Sequence, residues 1–417
     1  MTSIPAHDSA LIGIRRDLHA HPELGFEEKR TSALVAANLR SWGVEVTEKV
    51  GITGVLGTIR GKYPGTRSIG LRADMDALPI GEETALPYAS RTSGVMHACG
   101  HDGHTTMLLG AAQYLSHHRD FAGTVHLIFQ AAEEGAGGAV AMMDDGLFER
   151  FPCDAIYGMH TGPGLPASVF ATLPGTLMAG SGRFEVVFRG KGGHGGLSAD
   201  ASQDLALVQA RFLVALDLYA QERKNAGEFV SVAVASLAGG KAQVYTVLPA
   251  EIRLQGTTRA FSDHVHGALQ RELRAIAEAV GERSGAVTEV TTIMSTPPLV
   301  NAAPQTEIAV RAARATVGSQ RVVTEGKPVS ASEDFAFILG RRPGAFIFIG
   351  NGISADGSFH SIHTPQFDFN DAVIPAGVNY WINVVREELG PQSSLPQRQS
   401  TAQALALTTR DSPGRGC

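Results

Sequence analysis

The first 160 residues alternate between stretches with helical hydrophobic spacing and short, nearly continuous apolar runs. Helical spacing predicts helices over residues 31–42 and 103–117. The apolar runs predict four strands, at residues 54–59, 68–73, 124–130 and 155–159. Strands without polar alternation are typical of a sheet that helices cover on both faces. The pattern therefore predicts an α/β domain built on a mostly parallel or mixed sheet.

A different rhythm begins at about residue 182 and ends near residue 295. Its spacing predicts a strand, a helix, two strands, a helix and a strand, over residues 184–188, 200–223, 229–237, 251–257, 263–282 and 287–294. The order β-α-β-β-α-β is that of a ferredoxin-like α+β unit. Because Pro297 and Pro298 follow it, we expect the chain to leave the small unit there.

Helix and strand signals resume after this unit and continue to about residue 390. We therefore predict one large domain in two segments, residues 1–181 and 296–390, interrupted by a small domain at residues 182–295. Gln, Ser, Thr, Pro and Arg dominate residues 391–417, a composition that predicts a disordered tail.

The composition narrows the class of protein. The chain of 417 residues is 43% hydrophobic and 18% charged, which is typical of a globular protein with more than one core. Its net charge of −6, without long basic runs, argues against binding to nucleic acid or to a membrane surface and favours a small-molecule partner. Residues 1–17 lack a basic start followed by an apolar core, and three scattered cysteines are too few for a disulfide framework. We therefore expect a cytoplasmic protein.

Residues 97–104 concentrate groups that bind metal ions. They hold three imidazoles, one thiol and one carboxylate on a turn with two glycines. Gly100 separates Cys99 from His101, and glycine lets the backbone bend until both side chains point at one place. A thiolate favours zinc-like transition ions over magnesium or calcium. The alternative is a hydrogen-bonded turn with a buried free cysteine.

Acidic and imidazole side chains follow the predicted strands at their carboxyl ends. Glu133 and Glu134 follow the strand that ends at residue 130, and His160 follows the strand that ends at residue 159. Ligands of α/β sheets lie beyond such strand ends. One glutamate can bind a metal ion while the other acts as a general base, although adjacent acids also form ordinary solvated loops. His363, in a separate loop, is a further candidate ligand.

Three other positions are predicted to support this chemistry. His194 stands among five glycines in residues 190–196, so we expect it to be exposed on a mobile loop and to contact substrate; a flexible turn without a role is the alternative. Asp74, like Asp76, ends a strand and is predicted to orient a ligating imidazole, or else to cap a loop. Residues 332–335 indicate a helix start with Ser332 as its N-cap.

In these residues the chain resembles the metallopeptidase-like amidohydrolases of the aminoacylase and carboxypeptidase family, in the branch of hippurate hydrolases, N-acyl-amino-acid amidohydrolases and auxin-conjugate hydrolases. The resemblance implies an α/β fold with a mixed-sheet, metallopeptidase-like catalytic domain and an inserted ferredoxin-like lid and dimerisation domain. The segments that carry it span most of the chain, at residues 16–25, 72–79, 97–104, 129–135, 192–194, 332–335 and 363–369.

The resemblance also implies a centre of two divalent transition metal ions, such as zinc, manganese, nickel or cobalt. It makes Glu133 the general base and gives the thiolate the bridging position between the ions. It assigns the ligand positions to Cys99, His101, Glu134, His160 and His363.

The small domain of such proteins implies a homodimer or higher homo-oligomer. In that arrangement His194 would reach the partner subunit's active site and stabilise the tetrahedral oxyanion. Arg259 matches the family arginine that pairs with the substrate's α-carboxylate, for which a two-pronged donor is suited. The chain departs from the family at Thr246, which replaces the usual asparagine before a Val-Ile-Pro-like run, and this departure bears on selectivity.

The sequence therefore predicts a metal-dependent amidohydrolase that cleaves the amide bond of N-acyl-amino acids, hippurate-like or N-acetylated, to a carboxylic acid and a free amino acid. A dipeptidase or carboxypeptidase-type metallopeptidase is the alternative, because the same water chemistry cleaves any amide that fits. A non-catalytic metal-binding protein is disfavoured by Glu133 and His194. A hydrolase with Cys99 as nucleophile would stay active in the presence of a chelator.

Overall fold

The computed structural model describes residues 9–197, 204–354 and 356–390 of the chain, and two β-sheets contain most of the strands in this part. Its first helices and strands are α1 (Ser9–Ala20), α2 (Lys29–Ser41), β1 (Glu45–Val50), β2 (Gly54–Arg60), β3 (Tyr63–Asp74), α3 (His101–His117), β4 (Ala122–Gln130), α4 (Gly138–Asp144), α5 (Leu147–Arg150), β5 (Ala155–Gly162), β6 (Phe170–Ala171) and β7 (Gly175–Met178). The next are β8 (Gly180–Arg189), β9 (Gly193–His194), α6 (Leu205–Asn225), β10 (Val230–Gly239), β11 (Val247–Leu248), β12 (Glu251–Ala260), α7 (Asp263–Arg283) and β13 (Val287–Thr296). The last are β14 (Leu299–Asn301), α8 (Ala303–Val317), β15 (Val322–Val323), α9 (Phe335–Leu339), β16 (Gly344–Gly350) and α10 (Ile374–Leu389).

The large sheet has the strand order β1-β2-β4-β3-β5-β16-β6-β15 and mixes parallel with antiparallel pairs. β4, β3, β5 and β16 run parallel to one another, whereas β1, β2 and β6 contribute antiparallel pairs. Parallel neighbours need crossover connections, and α3 connects β3 to β4 while α4 and α5 connect β4 to β5. β5 is buried along its whole length, as its continuous apolar run predicts.

Helices cover both faces of the large sheet. On one face, α1, α2, α3, α8 and α10 pack around a core that includes Leu71 and Trp381. On the other face, α4 and α9 belong to a second core that includes Ile128 and Phe335. No helix in the described ranges combines the length and the apolar character that a membrane crossing requires.

The register of the central strands brings their carboxyl ends to one edge of the large sheet. Asp74 at the end of β3 lies opposite Gln130 at the end of β4. His160 near the end of β5 lies opposite Phe348 on β16. Because these strands are parallel, the residues that follow them share this edge.

The small sheet is antiparallel throughout and has the order β10-β12-β8-β13. α6 and α7 pack on one of its faces, where Phe188, Phe212 and Leu273 are fully buried. Its main elements follow the order β-α-β-β-α-β, and the predicted fold class, an α/β mixed-sheet domain with an inserted α+β unit, is confirmed.

Some predicted bounds stay predictions. α6 begins at Leu205 behind its N-cap Asp204, and the predicted helix start at residue 200 lies outside the described residues. The predicted tail, residues 391–417, also lies outside them. The division into residues 1–181, 182–295 and 296–390 is therefore kept as a proposal.

Candidate metal centre

Cys99 and His101 lie where α3 begins, at the carboxyl edge of the large sheet. Gly100 between them has a φ of 92°, a left-handed conformation that favours glycine, and a Cβ there would lie 2.9 Å from Thr161 Oγ1. That hydroxyl donates a hydrogen bond to the carbonyl oxygen of Cys99 at 3.0 Å. The turn brings the thiol and the imidazole together, because their ligand atoms lie within 4.8 Å of each other.

The five predicted ligands form one group, which we call the thiol cluster: Cys99, His101, Glu134, His160 and His363. Cys99 Sγ lies 3.3 Å from His160 Nε2 and 3.3 Å from His363 Nε2. Glu134 Oε1 lies 3.2 Å from His363 Nε2 and 3.9 Å from His101 Nε2. The structure therefore brings together residues from distant parts of the chain, and their role as metal ligands stays a prediction.

Two buried atoms of the thiol cluster, His101 Nε2 and Glu134 Oε1, have no hydrogen-bond partner among the described residues. Asp76 Oδ1 lies 3.2 Å from His101 Nδ1, so only Nε2 of that ring is left for the cluster. His160 likewise uses Nδ1 for the carbonyl oxygen of Thr161 at 2.8 Å and presents Nε2. A buried polar atom without a partner is unfavourable, and a cation would satisfy it. A thiol, imidazoles and a carboxylate fit a divalent transition metal.

Carboxylates around the thiol cluster shift the pKa values of its members. Burial lowers the pKa of His101, but Asp74, Asp76 and Glu134 outweigh burial and raise this pKa to about 10. Burial raises the pKa of the Cys99 thiol well above its ordinary value, and the nearby carboxylates raise it further. This concentration of negative charge favours a bound cation.

Asp74 contacts a different imidazole from the one that the prediction requires. Its Oδ1 lies 2.6 Å from Nδ1 of His104, whose Nε2 accepts a hydrogen bond from the backbone N–H of Thr161 at 2.9 Å. Both nitrogens of His104 are thus used within the protein, which leaves none for a metal ion. Asp74 comes only within 3.7 Å of His101, and Asp76 is the carboxylate that orients His101.

Glu133 lies beside the thiol cluster, but its hydrogen bond is to a residue outside the cluster. Its Oε1 accepts a hydrogen bond from the backbone N–H of Asp334 at 3.3 Å. Burial raises the pKa of Glu133 well above its ordinary value, and the carboxylates of Glu333 and Asp334 raise it further. A carboxylate with a raised pKa accepts and returns a proton more readily near neutral pH. This environment suits the predicted general base.

Sequence reasoning missed the guanidinium of Arg72, which connects Asp74 at the end of β3 to Glu333 in the segment before α9. It is fully buried and donates hydrogen bonds to Asp74 at 2.8 Å, Glu333 at 2.9 Å and Gln130 at 2.9 Å. The available signal was a charged residue inside the otherwise apolar run at residues 68–73. Buried charges need partners of this kind, so the arginine indicates acids nearby.

The predicted helix cap at Ser332 is wrong. α9 begins at Phe335, and Asp334 occupies the N-cap position without a side-chain capping bond. The Asp334 carboxylate instead accepts a hydrogen bond from Gln130 Nε2 at 2.7 Å, and Ser332 Oγ accepts one from Arg259 Nη1 at 3.2 Å. Both side chains therefore bond to residues of the site instead of capping a helix. Local sequence could not reveal these partners, because they lie far away along the chain.

A cleft of about 710 Å³ separates the two sheets. One side, the large-sheet wall, holds Glu133 together with members of the thiol cluster, including Cys99, Glu134, His160 and His363. The other side belongs to the small sheet. We call it the small-sheet wall, and its side chains from β8 and β12 are those of Ser181, Arg183, Thr257 and Arg259.

Of the two residues that are predicted to contact substrate, Arg259 lines the cleft and His194 does not. Arg259 is half-buried in the small-sheet wall, and its Nη1 donates hydrogen bonds to the carbonyl oxygen of Ser330 and to Ser332 Oγ, both at 3.2 Å. His194 is exposed on β9, where it pairs with Val247 of β11, and it is not among the described residues that line the cleft.

A sequence profile of the family described as peptidase family M20/M25/M40 matches residues 70–387. The chain belongs to this family. The matched range contains all members of the thiol cluster, Glu133, His194 and Arg259. The predicted family and enzyme class, a metal-dependent hydrolase, are confirmed. The predicted use of divalent metal ions and of small amide substrates is consistent with membership of this family.

Individual relatives cover almost the whole described chain. The hippurate hydrolase of Campylobacter jejuni is 33% identical over 376 residues, 90% of this chain and 96% of its own length. The N-acetyl-L-cysteine deacetylase of Bacillus subtilis is 35% identical over 368 residues, 88% of this chain and 85% of its own. The solved structure of the Bacillus subtilis YXEP protein, described as a dinuclear metal-binding peptidase of the M20 family, matches with a TM-score of 0.76 and 32% identity, and the match covers 90% of this chain and 97% of that one.

Proposed function

We propose that the protein is an amidohydrolase that cleaves N-acyl-amino acids, hippurate-like or N-acetylated, to a carboxylic acid and a free amino acid. The observation that carries this proposal is that the two adjacent glutamates have different contacts. Glu134 joins the thiol cluster, whereas Glu133 is held beside it by the backbone N–H of Asp334. The names of two relatives, a hippurate hydrolase and an N-acetyl-L-cysteine deacetylase, support the substrate class.

We infer that the residues of the thiol cluster would hold two divalent ions, such as zinc, manganese, nickel or cobalt, with the Cys99 thiolate among the ligands. The convergence of Cys99 Sγ with Nε2 of His160 and Nε2 of His363 supports a shared site, and a relative described as dinuclear supports two ions. Ions bound there supply Lewis-acid polarisation of a carbonyl group and make water more acidic.

The remaining steps belong to side chains of the protein. Glu133 removes a proton from the attacking water and later delivers it to the departing amine, and its raised pKa suits both tasks. Arg259 pairs with the α-carboxylate of the substrate. It lies in the same cleft, and no carboxylate of the described residues forms an ion pair with it.

His194 is proposed to act across a homodimer formed through the small domain. It is exposed on a glycine-rich segment and does not line the cleft of its own chain, as the described residues define it. α6 also presents exposed apolar side chains at helical spacing, Leu207, Val214 and Leu218. In the dimer, His194 of the partner subunit would stabilise the developing oxyanion.

A dipeptidase or carboxypeptidase-type activity is the second candidate, because the YXEP relative is described as a peptidase. The proposed compartment is the cytoplasm, since a free thiol at the centre of the site suits a reducing environment. Side-by-side turnover of N-acetyl-amino acids, N-benzoylglycine and dipeptides separates the two activities. Dipeptide turnover that exceeds that of both N-acyl compounds would favour the peptidase.

The direct test of the mechanism is Glu133→Ala with bound metal measured on the same sample. We expect activity to fall by roughly 10² to 10⁴-fold, the usual contribution of a general base, while the metal content stays at the wild-type level. Glu149→Ala is the matched control, because Glu149 is exposed and does not line the cleft. Near wild-type hydrolysis by a metal-loaded Glu133→Ala protein would contradict the assignment of the base.

A further inference from the structure

The small-sheet wall carries two guanidinium groups on one face of paired strands. In the register of β8 and β12, Arg259 lies opposite Ser181 and Thr257 lies opposite Arg183. Cross-strand partners share a face of the sheet, so all four side chains lie on the same face. Arg183 and Arg259 are therefore diagonal neighbours, a relation that separates the two residues by about 7 to 8 Å.

The alternation of side chains along β8 fixes Arg183 on the cleft side. Phe184 and Val186 point to the other face and are buried beneath α6 and α7. Arg183 Nη2 reaches across the cleft to the turn that follows Glu133 and Glu134, because a Cβ on Gly135 would lie 3.7 Å from it. This guanidinium thus lies close to the place where the proposed reaction occurs.

Arg183 has no hydrogen bond and no ion pair within the described part of the chain. Glu185, two positions along the same face, is engaged by Arg253 Nη1 and by Gln255 Nε2, each at 2.7 Å. The glutamates of the opposite turn lie in other hydrogen bonds and contacts. Two like charges at this spacing repel each other, and a ligand anion would relieve the repulsion.

We propose that the cleft selects N-acyl-amino acids that carry a second carboxylate, and that Arg183 pairs with it. The inference rests on the proposed function, in which Arg259 takes the α-carboxylate. The guanidinium fork of an arginine suits a carboxylate, and each of the two arginines then receives one. The second carboxylate belongs either to the amino-acid side chain, as in aspartate and glutamate, or to the far end of a dicarboxylic acyl group.

The test compares acids with neutral analogues of the same size on the metal-loaded enzyme. One arm measures kcat/KM for N-acetylglutamate and N-acetylglutamine, and the other for N-succinylalanine and its terminal amide, N-succinamoylalanine. We expect a preference of about tenfold or more for the acid in at least one arm, mainly through KM, as for a charge-assisted contact. The arm that shows the preference identifies which end of the substrate Arg183 reads.

Arg183→Met should reduce that preference to about threefold or less, with the loss concentrated on the acid substrate. Arg189→Met is the matched control, because Arg189 lies on the same strand and face but outside the cleft, and it should keep the wild-type preference. No preference in either arm, or a preference that survives in Arg183→Met, overturns the inference. Failure of the wild-type enzyme on all four compounds and on N-benzoylglycine would instead reject the proposed function.

Discussion

The two walls of the cleft hold their polar side chains in different ways. On the large-sheet wall, buried groups and their neighbours bond to one another, as His104 does through both of its nitrogens. On the small-sheet wall, Arg183 is exposed and has no partner among the described residues, and Arg259 contacts only a serine hydroxyl and a carbonyl oxygen.

This difference separates the chemical step from the choice of substrate. Buried, hydrogen-bonded groups keep a fixed geometry, and the loss of one partner leaves the other unsatisfied. Exposed groups on a sheet can change with little effect on folding. We therefore expect substitutions on the large-sheet wall to affect metal content, rate and stability together, and substitutions on the small-sheet wall to affect KM and selectivity.

The largest expected effect is that of Cys99→Ala. Removal of the donor at the centre of the thiol cluster should lower both the bound metal and kcat/KM, the latter by about 10³-fold or more. Metal analysis and kinetics on the same sample measure the two losses. Cys153→Ala is the control, because Cys153 is also buried and free but belongs to the core beneath α4 and α9. Activity that survives a chelator would favour the thiol-based alternative.

The second effect concerns stability. Arg72→Met should lower the free energy of unfolding by about 3 to 5 kcal/mol, because it leaves Asp74 and Glu333 buried without their cation. Arg183→Met should change it by less than about 0.5 kcal/mol. Urea denaturation of the two variants under identical metal loading measures both values. Equal losses of unfolding free energy in the two variants would contradict the proposed difference between the two walls.

The third effect is a pH dependence at the contact between α1 and the first turn of α3, where His19 meets Asp102. Burial lowers the pKa of His19, but hydrogen bonds and charge from Asp102 and Glu82 outweigh burial and raise it to about 9. Because the folded pKa exceeds the unfolded value of 6.5, the protonated ring stabilises the fold fully below pH 6.5, and this contribution disappears as the pH rises to about 9.

His19→Gln should remove that dependence. Its difference in unfolding free energy from the wild type should shrink by on the order of 2 to 3 kcal/mol between pH 6 and pH 9.5. Denaturant titrations of both proteins across this interval provide the measurement. A difference that stays constant with pH would show that His19 is not charged in the folded protein.

The smallest effect distinguishes the two buried aspartates, Asp74 and Asp76, that contact the imidazoles of His104 and His101. Asp76→Asn should weaken metal affinity by about 10 to 100-fold, because Asp76 orients the ring of His101. Asp74→Asn should weaken it less, since the hydrogen bond of Asp74 is to His104, whose nitrogens are both used within the protein. Competition with a chromophoric chelator gives the two affinities. The reverse order would restore Asp74 as the orienting carboxylate.

Local patterns predicted candidate ligands at a glycine turn and at strand ends, and the resemblance to the family selected the five that meet in the thiol cluster. Glu134 follows one buried apolar strand, His160 lies near the end of another, and the single glycine between Cys99 and His101 permits a sharp turn. The mixed sheet and the β-α-β-β-α-β insert follow from periodicity in the same way. These signals depend on residues that are neighbours in the chain.

Contacts between distant segments could not be predicted in this way. Arg72 and Glu333 are 261 residues apart, so nothing near Ser332 indicated that this segment would supply charges and hydroxyl groups to the site. The two-residue strand that carries His194 is too short for a periodic signal, and its pairing with Val247 became visible only in the fold. In both cases tertiary contacts decide the structure.

The strands that enter and leave the small domain, β8 and β13, are hydrogen-bonded neighbours, so the two domains are joined by a double-stranded ribbon. β12, which carries Arg259, is paired with β8, which carries Arg183. A swing of the small domain about the ribbon would therefore move both guanidinium groups as one body. The distance between Arg183 and Arg259 would then be set by β-sheet register. It would stay the same however far the small domain moved toward the large-sheet wall.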